Sequence, residues 1–339
     1  MEKNSTTIND IARELRIAPS TVSRALNHSP KISDETKKRV LDKANELGYD
    51  LNLIASSLSK KRTNIIGVII PVINRSFFSE VLSGIEEVFY KENIRVIIAQ
   101  TNESLSREKE LVKMFSAARV DGIIACLSLE TQTGEHFGQL QKKGIPLVLF
   151  NRVHYDITCT KILVDNFEGA YAATEHLIKS GCKNPAHLAG PLSCQVFDER
   201  ARGFKEAMKA HKIPLQPYSI LSTDLTSIDV RKSMRYWMSM EHLPDGIFTA
   251  SATSALWLSR ISKEYKLSIP DQLAIISFGN EPCHEFVTPS LSAIVVPGYD
   301  IGKTAARNLL DEITNPFQEP KTIIKPYQLV IRNSTFKKP

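Results

Sequence analysis

From residue 65 to the end, short apolar runs alternate with stretches of helical spacing, and the whole alternation occurs twice. The first half has apolar runs at 65–71, 95–100, 122–127 and 146–150, separated by amphipathic stretches at 77–91, 105–118 and up to 143. The second half has runs at 186–189, 218–222, 247–250 and 273–278, with helical stretches near 167–179, 196–211, 227–240 and 254–265. An apolar run at 294–296, a helix at 301–313 and a last strand around 328–332 complete it. Strands without polar alternation must be covered on both faces, so the pattern requires parallel sheets flanked by helices. Two similar α/β lobes are expected within 64–339, with the chain crossing between them near 151–165 and 279–298. Such sheets bind ligands beyond the carboxyl ends of their strands, which here means a cleft between lobes.

The first 50 residues follow another period. Thr7 is placed to cap a helix containing Ile8, Ile11, Ala12 and Leu15 on one face, with Asp10 in its first turn. A second helix begins at Pro19, where a missing N–H costs nothing. It turns Val22, Ala25 and Leu26 inward and leaves Ser20, Thr21, Ser23, Arg24 and Asn27 outside. A third starts from Ser33 and runs through Val40, Leu41, Ala44 and Leu47 to Gly48. Three short helices with a tight turn between the first two make a helix-turn-helix. Its second helix would enter a major groove, with Arg24 placed to donate two parallel hydrogen bonds to a guanine edge. A protein-binding three-helix bundle satisfies the same pattern. Residues 1–63 carry twelve Lys/Arg against eight Asp/Glu, so this fifth of the chain holds four of the six excess positive charges. That asymmetry favours a polyanionic partner.

The wording of the head adds to this reading. Thr7-Ile8-x-Asp10-Ile11-Ala12, then the unbroken run from Ser20 to Asn27, resembles the lac repressor (LacI/GalR) family of transcriptional regulators. The likeness continues through Ile32-Ser33, Thr36, Arg39-Val40 and Leu47-Gly48-Tyr49 to Asn52, Ala55 and Leu58. Three positions depart: Arg16 replaces the usual turn glycine, Ala18 a serine and Leu51 a proline. The body resembles the same family's periplasmic-binding-protein-like sensor at Ile66-Gly67-Val68, Asp121-Gly122-Ile123-Ile124, Asp165-Asn166, Ala189-Gly190-Pro191, Arg200-x-Arg202-Gly203-Phe204 and Thr288-Pro289-Ser290-Leu291. The expected architecture is therefore an all-α helix-turn-helix DNA-binding head (1–50), a hinge helix and linker (51–63), and a two-lobed α/β effector-binding and dimerisation body (64–339).

The resemblance also implies roles. Thr7, Pro19, Ser20, Thr21, Ser23, Arg24 and Asn27 would meet operator DNA. Residues 52–60 would form a hinge helix, too short to be stable alone, that orders on the operator and pairs with its twin. There Leu58 would wedge between base pairs in the minor groove, with Asn52 and Ala55 beside it; an ordinary linker helix is the plain alternative. In the cleft, Phe77 and Phe78 match aromatic positions, one of which can equally pack beneath its helix. Arg200 matches an arginine that grips effector oxygens. Asp165 either accepts effector hydroxyls or caps the following helix. Ser251 and Asn280 stand where the family commonly carries Asn and Asp, so the recognised group is expected to differ. The implied effector is a sugar or sugar acid, and the implied assembly a homodimer, since no C-terminal leucine heptads follow the last strand.

Other classes find little support. The longest apolar run falls well short of the ~20 residues of a membrane span, and the polar start lacks the apolar core of a secretory signal, so cytoplasmic residence is expected. The cysteines (Cys126, Cys159, Cys182, Cys194, Cys283) are odd in number and unpaired in spacing, which reads as core thiols. The stretch 297–304 imitates a phosphate loop but has Pro297 where the cradle glycine belongs. No GxGxxG, HExxH or GxSxG is present, and His176 and His187 read as structural. No cofactor, metal or catalytic residue is expected.

Overall fold

The computed structural model describes residues 6–26, 29–49 and 62–336. The chain divides into two units, Met1–Asn64 and Ile65–Pro339.

The head is built of α1 (Ile8–Leu15), α2 (Pro19–Leu26) and α3 (Asp34–Glu46). Thr7 and Asp10 form a reciprocal capping box, with the Thr7 N–H donating to Asp10 Oδ2 at 2.9 Å. Ile11, Ala12, Val22, Ala25, Leu26, Val40 and Ala44 form its buried core. Gly48 ends α3 at a φ of +61°, the left-handed conformation that glycine tolerates best. Arg16 takes the same region at φ +52° to close α1. A side chain there costs about 1 kcal/mol or more relative to glycine, and the tight turn requires it regardless. Ala18 precedes α2 and accepts the Thr21 N–H with its carbonyl only. Ala18→Ser supplies the missing cap hydroxyl and is expected to stabilise the head by ~1 kcal/mol. Scanning calorimetry should show a higher midpoint for the head; an unchanged midpoint contradicts the cap assignment.

The body contains β1 (Ile65–Ile70), α4 (Ser76–Lys91), β2 (Arg95–Gln100), α5 (Leu105–Ala117), β3 (Gly122–Ala125), α6 (Gly138–Lys142), β4 (Leu147–Phe150), β5 (Thr160–Val164), α7 (Asn166–Lys179) and β6 (Pro185–Ala189). It continues with α8 (Gln195–Ala210), β7 (Ile220–Ser222), α9 (Ser227–Met238), β8 (Gly246–Thr249), α10 (Ala252–Glu264), β9 (Ala274–Phe278), β10 (Ser292–Val295), α11 (Gly298–Thr314), β11 (Thr322–Lys325) and β12 (Gln328–Val330). The strands form two six-stranded sheets, ordered β11-β5-β4-β3-β1-β2 and β12-β10-β9-β8-β6-β7.

Two strands, β5 and β11, were not anticipated. In β5 the apolar pattern is broken by Lys161, which is buried with its ammonium donating to the Ile157 carbonyl at 2.5 Å. In β11, an edge strand, Thr322 and Ile324 are exposed. Both belong to the first lobe, so the chain first leaves that lobe at Asp165, returns at 296–297, and leaves again at 326–327. The last passage also adds one antiparallel edge to the otherwise parallel sheets: β12 runs antiparallel to β10. Its cause is the two-residue link from β11, which enters the second lobe from the end where β10 finishes.

Each helix that follows a passage packs in the lobe it has entered, α7 against α8 and α11 against α4. The α4–α11 contact depends on Gly84 and Gly302, where an added Cβ would lie 2.1 Å from the Tyr299 carbonyl and 2.0 Å from the Val81 carbonyl. The glycine of the phosphate-loop imitation is thus a packing residue. Cys126, Cys159 and Cys182 are buried; Cys283 is exposed, contrary to a uniform core-thiol reading.

Candidate functional site

In the head, α2 buries Val22, Ala25 and Leu26 and presents Pro19, Ser20 and Arg24 to solvent, with Thr21 and Ser23 half-buried. Arg24 forms no ion pair among the described residues, so its guanidinium is available to an outside acceptor. Thr7 is exposed, and its hydroxyl donates to Asp10 Oδ2 at 2.7 Å; in the structure it acts as a helix cap. Asn27, Asn52, Ala55 and Leu58 lie outside the described residues.

In the body, the strand ends converge on a cavity of about 390 Å³ between the lobes. Each wall follows the carboxyl end of a strand. Arg75, Phe77 and Phe78 come after β1, Glu103 after β2, Asn151 and Arg152 after β4, and Arg200 from the first turns of α8. Asp224 follows β7, Ser251 and Thr253 follow β8, and Asn280 and Glu281 follow β9. Phe77 and Phe78 meet edge to face with centroids 5.2 Å apart. Phe78 is buried and Phe77 partly exposed, and both line the cavity.

Arg200 is 8% exposed. Its Nε donates to Asn166 Oδ1 at 2.9 Å and its Nη1 to the Ala250 carbonyl at 2.8 Å. The guanidinium carbon stacks 3.7 Å from the centre of the Phe278 ring. Burial lowers its pKa to about 9, and it has a carboxylate nowhere within ion-pairing distance among the described residues. Asn280 lines the cavity, but its Oδ1 already accepts from Arg332 Nη1 at 3.0 Å. Ser251 precedes α10 without a side-chain capping bond. Asp165 is not among the cavity-lining residues; its Oδ1 accepts the Glu168 N–H at 2.8 Å and caps α7. Of its two expected roles, the structure shows the cap.

Several lining residues escaped the sequence reading. Arg152 pairs with both Glu103 oxygens, at 2.7 and 3.0 Å, and Glu103 also accepts the Leu129 N–H. Burial raises the pKa of Glu80, opposed by the Gly298 N–H and assisted by the charge of Glu281. Arg75 donates to the Thr253 hydroxyl across the cleft. Polar residues directly after an apolar strand were the available signal for Asn151 and Arg152.

Behind Arg200, His187 stacks on Phe248 at 4.4 Å and on Phe204 at 5.5 Å. Its Nδ1 donates to the Phe248 carbonyl at 2.9 Å, and Nε2 has no partner. Burial lowers its pKa to about 3. Because the unfolded chain protonates this ring near pH 6.5, its contribution to stability is intact above that value. It is lost as pH falls towards 3, at ~1.4 kcal/mol per pH unit. Urea unfolding across that window should show the acid limb flattening in His187→Phe; an unchanged slope contradicts a neutral buried ring.

Among the described residues no group of three or more His, Cys, Asp and Glu side chains could hold a metal ion. None of their helices is long and apolar enough to cross a membrane.

Residues 7–52 match bacterial regulatory proteins of the lacI family, and residues 174–335 match a periplasmic binding protein-like domain. Catabolite control protein A of Priestia megaterium is 30% identical over 97% of this chain and 99% of its own length. A LacI family transcriptional regulator from Enterococcus faecium, solved with bound ribose, superposes with a TM-score of 0.70 and 26% identity over 80% of this chain and 98% of that one. The lac repressor dimer bound to operator and the anti-inducer ONPF superposes with a TM-score of 0.86 over 98% of this chain and 100% of that one. At 21% identity it is a likeness of fold.

Proposed function

The chain belongs to the lacI family of bacterial regulatory proteins, and from that premise we propose that it is a sequence-specific DNA-binding repressor controlled by a small effector in the cleft. The observation that carries this reading is the cavity itself. It lies where both sheets end, and is walled by both lobes with aromatic and charged side chains. A ligand touching both walls changes the placement of one lobe on the other, and a coupling of about 1–3 kcal/mol to operator affinity is typical of such regulators.

The remaining assignments follow from the same premise. Pro19, Ser20, Thr21, Ser23, Arg24 and Asn27 read the major groove, with Thr7 capping the first helix beside the phosphates. Asn52, Ala55 and Leu58 act in the minor groove. Phe77, Arg200, Ser251 and Asn280 contact the effector, a sugar or sugar acid, consistent with ribose in the Enterococcus faecium relative. The assembly is a cytoplasmic homodimer. Ile97 and Ile98 on the edge strand β2 and Tyr90 on α4 are exposed, and such apolar surface is what a second copy covers. No catalytic step is assigned; steady turnover of a cleft ligand by purified protein would overturn that.

The test is selection of duplexes from a random-sequence library by the purified protein, with and without sugars and sugar acids. A recovered palindrome whose affinity shifts with one compound supports the reading. Absence of any sequence preference removes it.

A further inference from the structure

Two guanidiniums reach the cleft from opposite lobes, and both are held by neutral oxygens. Arg75, at the head of α4 in the first lobe, donates through Nη1 to the Thr253 hydroxyl at the head of α10 in the second. The neighbouring Ser76 hydroxyl donates to the Asn280 carbonyl at 3.2 Å, so two consecutive residues bridge the lobes. Arg200, from the second lobe, is bonded to Asn166 Oδ1 and the Ala250 carbonyl. Three other arginines of the body pair with carboxylates instead: Arg152 with Glu103, Arg332 with Glu285 and Arg231 with Glu264. A guanidinium bonded only to neutral acceptors has no counter-charge in direct contact, and an anion that reaches it forms a stronger, charge-assisted bond.

The carboxylates that share the cavity do not fill this role. Glu103 is committed to Arg152 and the Leu129 N–H, and burial favours the neutral form of Glu80. Asp224 and Glu281 also line the cavity and form no ion pair among the described residues, which suits them to accept hydroxyl hydrogens. Among the described residues the cleft thus combines two guanidiniums without a carboxylate partner and two carboxylates without a cationic one.

We propose that Arg75 is the specificity-determining residue of this cleft and that the effector is an anionic polyol, a sugar acid or sugar phosphate, whose charged group takes the place of the Thr253 hydroxyl on Arg75. The inference rests on the effector reading above and deepens it. Arg200 receives further effector oxygens, while Asp224 and Glu281 accept hydroxyls. Because the Arg75–Thr253 bond joins the lobes, exchanging it for a ligand oxygen alters how they are tied together. Anion binding is thereby linked to regulation.

The test is calorimetric titration of the full-length protein with matched sets: glucose, glucuronate and glucose 6-phosphate; galactose and galacturonate; ribose and ribose 5-phosphate. Charge-assisted hydrogen bonds predict that an anionic member binds at least about tenfold more tightly than its neutral partner. The uronate and phosphate arms distinguish the two sources of charge. In Arg75→Gln the gap should close, with the neutral sugar's affinity retained; in Thr253→Val, which keeps the guanidinium, it should persist. Neutral sugars binding as well as their anionic partners, or no anionic member binding, overturns the proposal. So does equal weakening of both members by Arg75→Gln, or closure of the gap by Thr253→Val, since Arg75 would then serve only as a bridge. Operator binding by the same preparations separates the two readings. Retained operator binding with neutral sugars alone recognised removes this inference and leaves the regulator, whereas loss of sequence preference in the unsubstituted protein removes the regulator.

Discussion

Arg24→Ala is expected to weaken binding to the selected operator by about 1–3 kcal/mol, roughly five- to 150-fold, while non-specific DNA binding changes far less. Arg24 is exposed on the face of α2 opposite Val22, Ala25 and Leu26, which fill the head's core. Removing its side chain therefore leaves the helix bundle intact. A bidentate guanidinium contact to one base pair predicts a loss that depends on that base, whereas a phosphate contact predicts uniform weakening and a shallower salt dependence. Binding isotherms on operator variants at two salt concentrations decide between them. Unsubstituted affinity and specificity in the alanine variant would exclude Arg24 from recognition.

Arg200→Ala is expected to abolish the effector response, lowering effector affinity by about 3 kcal/mol, or over a hundredfold, with operator binding retained. The substitution removes a buried cation, its stacking on Phe278 and the donors to Asn166 and Ala250. Losing partners for two neutral acceptors costs about 1–3 kcal/mol of folding stability, offset by no longer burying an unpaired charge. Stability should therefore change less than effector affinity does. Arg200→Lys keeps a charge but not the planar fork that serves several acceptors at once, so it should restore only part of the response. Calorimetric titration of the effector, paired with operator binding, reads both quantities; a normal response in the alanine variant excludes Arg200 from the site.

Much of this protein follows from local pattern. The head's buried residues and the Thr7–Asp10 cap are legible because helix period and capping chemistry act over a few residues. Most body strands are legible because burial on both faces leaves continuous apolar runs. The same logic explains the misses: Lys161 interrupts β5, and edge position leaves β11 exposed, so neither carries the expected run.

Asp165 marks the boundary of what such reading can do. Its place before a helix was clear, but its choice between cap and ligand contact depended on where α7 lies relative to the cleft. Arg75 marks the other side of that boundary. It meets Thr253 across 178 residues, a contact made where the strand ends of two lobes meet and invisible in any short window. The sequence by itself determined most of the elements, the faces they bury and the family they belong to, because these arise from the period and chemistry of neighbouring residues. Only the tertiary structure decided which charges share the cleft and which remain unneutralised. That depends on three passages of the chain between lobes bringing distant strand ends to one cavity.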